Sequence, residues 1–230
     1  MKLLSINAWE GQVKELKEFI LSHALNTDIF FVQESLTNKG KNFAQEWLPD
    51  YQLLFAKKRI DKNNRFAQST FIKKDLKIVK SENIGDGDTK IGYTLFTQVK
   101  TKDNKVLNLL NVHGCSRPGH KQDTPIRIKQ SKMIINFLKD YPQTKIIAGD
   151  FNLDVNIKSV QLFEDNNYRN LIKDYKIPTT RNNFSWKKYK NKQLFADFTF
   201  VSPDLKIKEF TVPQNEVSDH LPMILEFDLS

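Results

Sequence analysis

Short apolar runs that each end on a polar residue of catalytic type constrain this chain more than any other feature. Ser5-Ile6-Asn7 closes the first run and Val32-Gln33-Glu34 the second. Asn111-Val112-His113, Gly149-Asp150-Phe151-Asn152 and Ala196-Asp197-Phe198-Thr199-Phe200 follow. The hexapeptide Val217-Ser218-Asp219-His220-Leu221-Pro222 closes the set, with an acid and an imidazole side by side between apolar segments. β-Branched and aromatic runs of this length read as buried strands. Polar side chains at the ends of strands, on a rigid scaffold, are where active sites are commonly built.

Between these runs the periodicity changes. Val13, Leu16, Phe19, Ile20 and Ala24 predict an amphipathic helix over residues 11–24, and Ile128, Met133, Ile134, Phe137 and Leu138 predict another over 126–140. Shorter helices are expected over 40–48 and 157–166. Strands are expected over 2–6, 28–33, 51–56, 67–73, 76–82, 92–100, 106–112, 145–148, 197–202, 205–212 and 221–227, with a hairpin turn at Lys102-Asp103-Asn104-Lys105. A βα start, an antiparallel middle and a mixed end predict one α/β domain over residues 1–230, built on two sheets.

Composition sets the frame. A chain of 230 residues with 17 Phe can fill a full core. No apolar run approaches the ~20 residues of a membrane helix. Met1-Lys2 leads straight into Leu3-Leu4-Ser5-Ile6, too short for a signal peptide, so a cytoplasmic protein without a membrane span is expected. The single Cys115 makes no internal disulfide. Beside His113 it lacks the other ligands of a zinc site. A net charge of +9 suits a partner that carries phosphate. An excess of Lys together with many Asn is equally what an AT-rich genome gives.

Taken together, the polar residues form a coherent chemical set. Glu34, helped by Asn7, is a one-carboxylate anchor for a hard divalent cation such as Mg²⁺, which prefers oxygen ligands. Such an ion polarises a phosphoryl oxygen. His113 and His220 can donate to phosphate oxygens or carry protons. Asp197 can orient His220, and Asp150 with Asn152 can align an attacking water. Each also has a plain structural reading: Asn7 as a strand terminus, Gln33-Glu34 as a solvated strand end, His113 as a turn residue, Asp150 as an Asx turn or helix cap.

On these motifs the chain resembles the endonuclease/exonuclease/phosphatase superfamily, the fold of deoxyribonuclease I, and in particular its small bacterial members. The likeness runs from Leu3 to Phe227, and Arg127-Ile128-Lys129-Gln130 matches the family's habit of opening a helix ahead of Gly-Asp-Phe-Asn. It implies a four-layer α/β sandwich, with two mixed, mainly antiparallel sheets packed face to face and helices outside. It also implies Mg²⁺ or Mn²⁺ dependence and in-line hydrolysis of a phosphate ester by water. Asn7, Glu34 and Asp219 are then the candidate metal residues. His113, Asp150, Asn152, Asp197 and His220 are the candidate catalytic ones. Trp9 stands where abasic-site endonucleases carry an acid, and Leu194-Phe195-Ala196 replaces the Trp-Cys of inositol-polyphosphate 5-phosphatases, so both subfamilies resemble the chain less.

Two loops bear on the substrate. Ser116–Arg127 carries Arg117, His120, Lys121 and Arg127 directly after His113. Thr179–Lys192 interleaves Arg181, Lys187, Lys188, Lys190 and Lys192 with Phe184, Trp186 and Tyr189, a pattern that suits a nucleic-acid strand or a plain solvated hairpin. Arg117, Lys121 and Arg181 are the candidate substrate contacts, and Lys57-Lys58-Arg59 to Arg65 is a further cationic segment. A phosphodiesterase acting on nucleic acid is the first reading. An enzyme for a small phosphorylated metabolite or lipid headgroup is the second. A non-catalytic binding module would have lost members of the polar set, and none is lost. No obligate protein partner is evident.

Overall fold

The computed structural model describes residues 1–36, 42–59, 65–85, 90–188 and 192–229. The alternating strands assemble into two six-stranded sheets. The first contains β1 (Lys2–Asn7), β2 (Ile29–Gln33), β3 (Tyr51–Arg59), β4 (Arg65–Lys73), β11 (Lys206–Thr211) and β12 (Met223–Asp228), in the order β11-β12-β1-β2-β4-β3. The second contains β5 (Lys77–Ile84), β6 (Tyr93–Lys100), β7 (Val106–His113), β8 (Lys145–Asp150), β9 (Arg169–Asn170) and β10 (Asp197–Val201), in the order β5-β6-β7-β8-β10-β9. Each sheet holds one parallel pair, β1 with β2 and β7 with β8, among antiparallel neighbours. β6 and β7 form the hairpin that the turn at residues 102–105 predicts.

Side-chain alternation sorts the layers. Leu3, Ile29, Phe31, Leu225 and Phe227 join a cluster with the second sheet, α2 (Pro125–Leu138) and α3 (Lys158–Asp165). Leu4, Ile6, Phe30, Val32 and Ile224, on the opposite faces of the same strands, pack with Leu16 and Ile20 of α1 (Glu15–Ala24). Phe30 and Phe31 are both fully buried, each contributing roughly 2–3 kcal/mol. A strand buried on both faces must sit inside a layered sandwich with a helix outside it.

Departures from the sequence reading are local. In place of a helix over 40–48, of which residues 40 and 41 lie outside the described residues, the chain makes a bridge from Leu36 to Asn42 and one 3-10 turn, Ala44–Glu46. Asn42 donates to Ser69 Oγ at 2.9 Å, and Pro49 disfavours helical geometry at Leu48. Among the described residues of the segment 179–192, Asn183–Lys188 form the helix α5 where the hairpin reading has extended chain. A short helix α4 (Leu171–Asp174) and strand β9 were not anticipated. Residues 60–64 of the cationic segment, and Tyr189 and Lys190, lie outside the described residues. Among the described residues no helix is long and apolar enough to cross a membrane.

Candidate active site

Strand direction gathers the polar set at one end of the sandwich. Parallel pairing places Asn7 opposite Gln33, so Asn7 and Glu34 leave the first sheet side by side. In the second sheet His113 lies opposite Asp150, and Asp150 opposite Asp197. The loop before β12 adds Asp219 and His220. It is fixed by Ser218 Oγ donating to Asn7 O at 2.6 Å, Asn182 Nδ2 donating to Ser218 O at 2.7 Å and Leu221 N donating to Thr180 O at 2.9 Å.

Glycine permits the crowding. At Gly149 φ is 138°, and a Cβ there would lie 2.2 Å from Val112 O and 2.9 Å from Gln33 Nε2. At Gly114 a Cβ would meet Phe151 O at 2.2 Å. Glu34 and Asn152 adopt left-handed backbone at φ 50° and 57°. Such conformations are uncommon outside glycine and cluster at functional sites. The turn at Glu34 redirects its carboxylate off the strand.

Asn7 ties the sheets together. Its Nδ2 donates to Glu34 Oε1 at 3.2 Å and to Asp150 Oδ2 at 3.0 Å, while its Oδ1 accepts from Trp9 N at 3.0 Å. His113 Nε2 stands 3.7 Å from Glu34 Oε1 and 3.9 Å from Asp150 Oδ2. Asp150 Oδ1 accepts from Asn152 N at 2.8 Å. His220 Nδ1 faces both oxygens of Asp197, at 3.0 and 2.8 Å, and its Nε2 lies 3.9 Å from Asp150 Oδ2 and from Asp219 Oδ1.

The electrostatics separate these groups. Desolvation, followed by the Asp219 charge, pushes the Glu34 carboxyl up to about 7, although a third of its side chain meets solvent. Burial lowers His113 to about 4, so it is neutral at pH 7. Burial also works against the Asp150 anion, but the charges of His220 and Lys121, with Arg181 further off, outweigh it and hold the carboxyl down at about 2. Burial and Arg181 oppose a charge on His220, but Asp197, Asp219 and Asp150 together raise its pKa. Of the two, His220 therefore holds a proton more tightly than Asp150.

Most of the expected residues meet here: Asn7, Glu34, His113, Asp150, Asn152, Asp197, Asp219 and His220. Arg181 is buried, with Nη2 donating to Asp219 Oδ2 at 3.3 Å. Lys121 is buried with Nζ on Asn152 Oδ1. Arg117 is exposed to solvent. Arg127, 1% exposed, is spent on the loop itself, donating to the carbonyls of Cys115, Gln122 and Pro118. Gln33 is not a solvated strand end: it is fully buried, donating to Asn111 Oδ1 at 2.7 Å across the sheets.

Residues 3–220 match the Endonuclease/Exonuclease/phosphatase family. The chain belongs to that family. Its members are metal-dependent phosphoester hydrolases. Among solved structures it is similar to the human Nocturnin catalytic domain with bound sulfate, at TM-score 0.77 and 18% identity over 100% of this chain and 94% of that one. It is similar to the mannosyl-6-phosphatase of Bacteroides thetaiotaomicron VPI-5482, at TM-score 0.71 and 17% identity over 100% of both chains. Truncated TDP2 of Caenorhabditis elegans gives TM-score 0.69 and 16% identity over 98% of this chain and 96% of that one. At these identities the likeness is one of fold. No curated protein matches the sequence.

The donor set fits the divalent ion that the family uses. Glu34, His113 and Asp150 each offer a ligand atom, all within 4.8 Å of one another. Two carboxylates in this group suit a hard cation. Clustered acids that raise a neighbour's pKa are relieved by a bound positive charge. Asp219 is drawn instead to Arg181, yet its charge still reaches Glu34.

Proposed function

We propose that this protein hydrolyses phosphodiesters of nucleic acid by in-line attack of water, using Mg²⁺ or Mn²⁺ held by Glu34, with Asn7, Asp150 and His113 around it. The observation that carries the reading is the pair of Nε2 atoms, from His113 and His220, each 3.9 Å from the same Asp150 oxygen. A phosphoryl group held by the ion beside Asp150 would meet the imidazole of His113 on one side and that of His220 on the other. When bound, the ion polarises the phosphoryl oxygen. Asp150 and Asn152 align the water, Asp197 fixes the ring of His220, and His220 donates from Nε2 to a phosphoryl oxygen. Cationic Arg181 beside Asp219 adds positive potential for an anionic substrate.

Nucleic acid is favoured by the rim. Trp9, two residues from Asn7, pairs with Phe184 at 6.2 Å between ring centroids, and both are half-buried. Lys187 lies 5.9 Å from the Phe184 ring and Lys192 lies 4.1 Å from the Trp186 ring. Aromatic rings beside cations suit stacked bases on a phosphate track. The test is nicking of supercoiled plasmid with Mg²⁺ or Mn²⁺, for wild type, for His220→Ala and in EDTA. Nicking that disappears in both controls supports the reading. Undiminished nicking by His220→Ala sinks the mechanism. An intact plasmid moves the substrate to a small phosphorylated metabolite or lipid headgroup, a reading that the fold likeness to a mannosyl-6-phosphatase supports.

A further inference from the structure

Lys121 is a lysine in the wrong place for a surface loop. It is 8% exposed, whereas lysines are almost never buried without a partner. Its ammonium donates to Asn152 Oδ1. Burial works against its positive charge, and the carboxylates of Asp150 and Asp197 offset part of that cost.

The surrounding chain is built to hold it. Lys121 O accepts from Asp154 N at 2.8 Å, and Gln122 Nε2 donates to Asp154 Oδ2 at 3.1 Å. Asp123 accepts from Lys158 N at 2.7 Å and Ser159 N at 2.9 Å, at the start of α3. Arg127 supports the same loop from beneath. The segment that carries Lys121 is thus stitched to the segment that carries Asn152.

The chemistry of the contact is one-way at both ends. An ammonium only donates, so it selects the oxygen of the Asn152 amide. The other end of that amide, Nδ2, donates to Gly114 O at 3.2 Å, and a carbonyl only accepts. The amide therefore has one orientation, and its remaining N–H can act only as a donor. We infer that Lys121 is a positioning residue, which locks Asn152 as a hydrogen-bond donor to the reacting phosphate or its nucleophile and does not itself bind substrate. Without the lysine the Gly114 carbonyl alone would hold the amide, and a turned amide would present an oxygen to an anion.

This inference rests on the phosphoesterase reading for its activity arm only. The first arm follows the Asn152 side-chain NH₂ signals by ¹⁵N NMR in wild type and Lys121→Met, without substrate. Slow exchange in wild type and fast exchange with shifted signals in the variant are expected; unchanged signals overturn the assignment. The second arm is a double-mutant cycle with Asn152→Ala on any ester the wild type turns over. Lys121→Met should lower kcat about 10–100-fold with KM nearly unchanged, and should cost little more in the Asn152→Ala background. Full multiplicative losses, or a loss confined to KM, would instead make Lys121 a direct substrate contact. Thermal unfolding controls for folding, and Lys121→Ala carries the same expectations should methionine not be accommodated. If wild type hydrolyses nothing, the phosphoesterase reading fails and the NMR arm still decides the role of Lys121.

Discussion

Both carboxylate oxygens of Asp197 face a single atom, His220 Nδ1, at 3.0 and 2.8 Å. That contact keeps a proton on Nδ1 and turns Nε2 toward Asp150. Asp197→Asn keeps the shape but removes the anion. Turnover should fall about 10²–10⁴-fold, and the pKa of His220, read from its imidazole NMR signals, should drop. A variant with full turnover would remove Asp197 from the mechanism.

Glu34 couples metal binding to pH. Its carboxyl ionises near 7 in the metal-free protein, and a ligand must be ionised to bind. Below about pH 7, uptake of Mn²⁺ should release close to one proton, and affinity should rise with pH up to that point. Above it, both effects should fade. Calorimetry in two buffers of different ionisation heat measures the proton count. Glu34→Gln should abolish the release and weaken binding; an unchanged proton count would place the ion elsewhere.

His113 resists charge. An unfolded chain takes up this proton near 6.5, while the folded site refuses it until about 4. Stability should therefore fall as pH drops through that interval, by on the order of 3 kcal/mol from this group. Glu34, whose pKa is raised on folding, slopes the opposite way between about 4.5 and 7. The difference between wild type and His113→Asn, measured by urea unfolding in EDTA across this range, isolates the histidine. Parallel curves would show that His113 is not desolvated.

Gly149→Ala should be among the costliest single-methyl additions in the protein. It demands a left-handed φ of 138° and puts a Cβ 2.2 Å from Val112 O. Destabilisation of at least about 2 kcal/mol is expected from urea unfolding, with turnover lost through displacement of Asp150. A stable, active variant would mean that β7 and β8 can move apart without moving the site.

The sandwich and the ends of its strands were legible because buried strands announce themselves by continuous apolar runs, as in Ile29-Phe30-Phe31-Val32. Parallel pairing then did the rest, bringing Asn7 beside Glu34 and His113 beside Asp150. Contacts made by long side chains from loops were less legible. Lys121 and Arg127 look alike in sequence, yet one is aimed at Asn152 and the other braces its own loop, because loop conformation and not spacing sets their direction. The turn Ala44–Glu46 and helices α4 and α5 are too short for periodicity to define. The bond of Gln33 across the sheets was not legible, because a polar residue at a strand end is as readily solvated; only the partner strand, far away in sequence, reveals Asn111 as its acceptor.

The amide of Asn7 touches a carboxylate from each sheet, so the gap between Glu34 and Asp150 belongs to neither sheet alone. It works like the opening of a calliper whose setting is the thickness of the apolar filling between the sheets, about 10 Å in sandwiches of this kind. Phe31 and Leu109 lie in that filling and so form part of the instrument. Trimming either would reset the jaws before it loosened the frame, and the chemistry at the rim would register a change in the filling that the overall fold still tolerates.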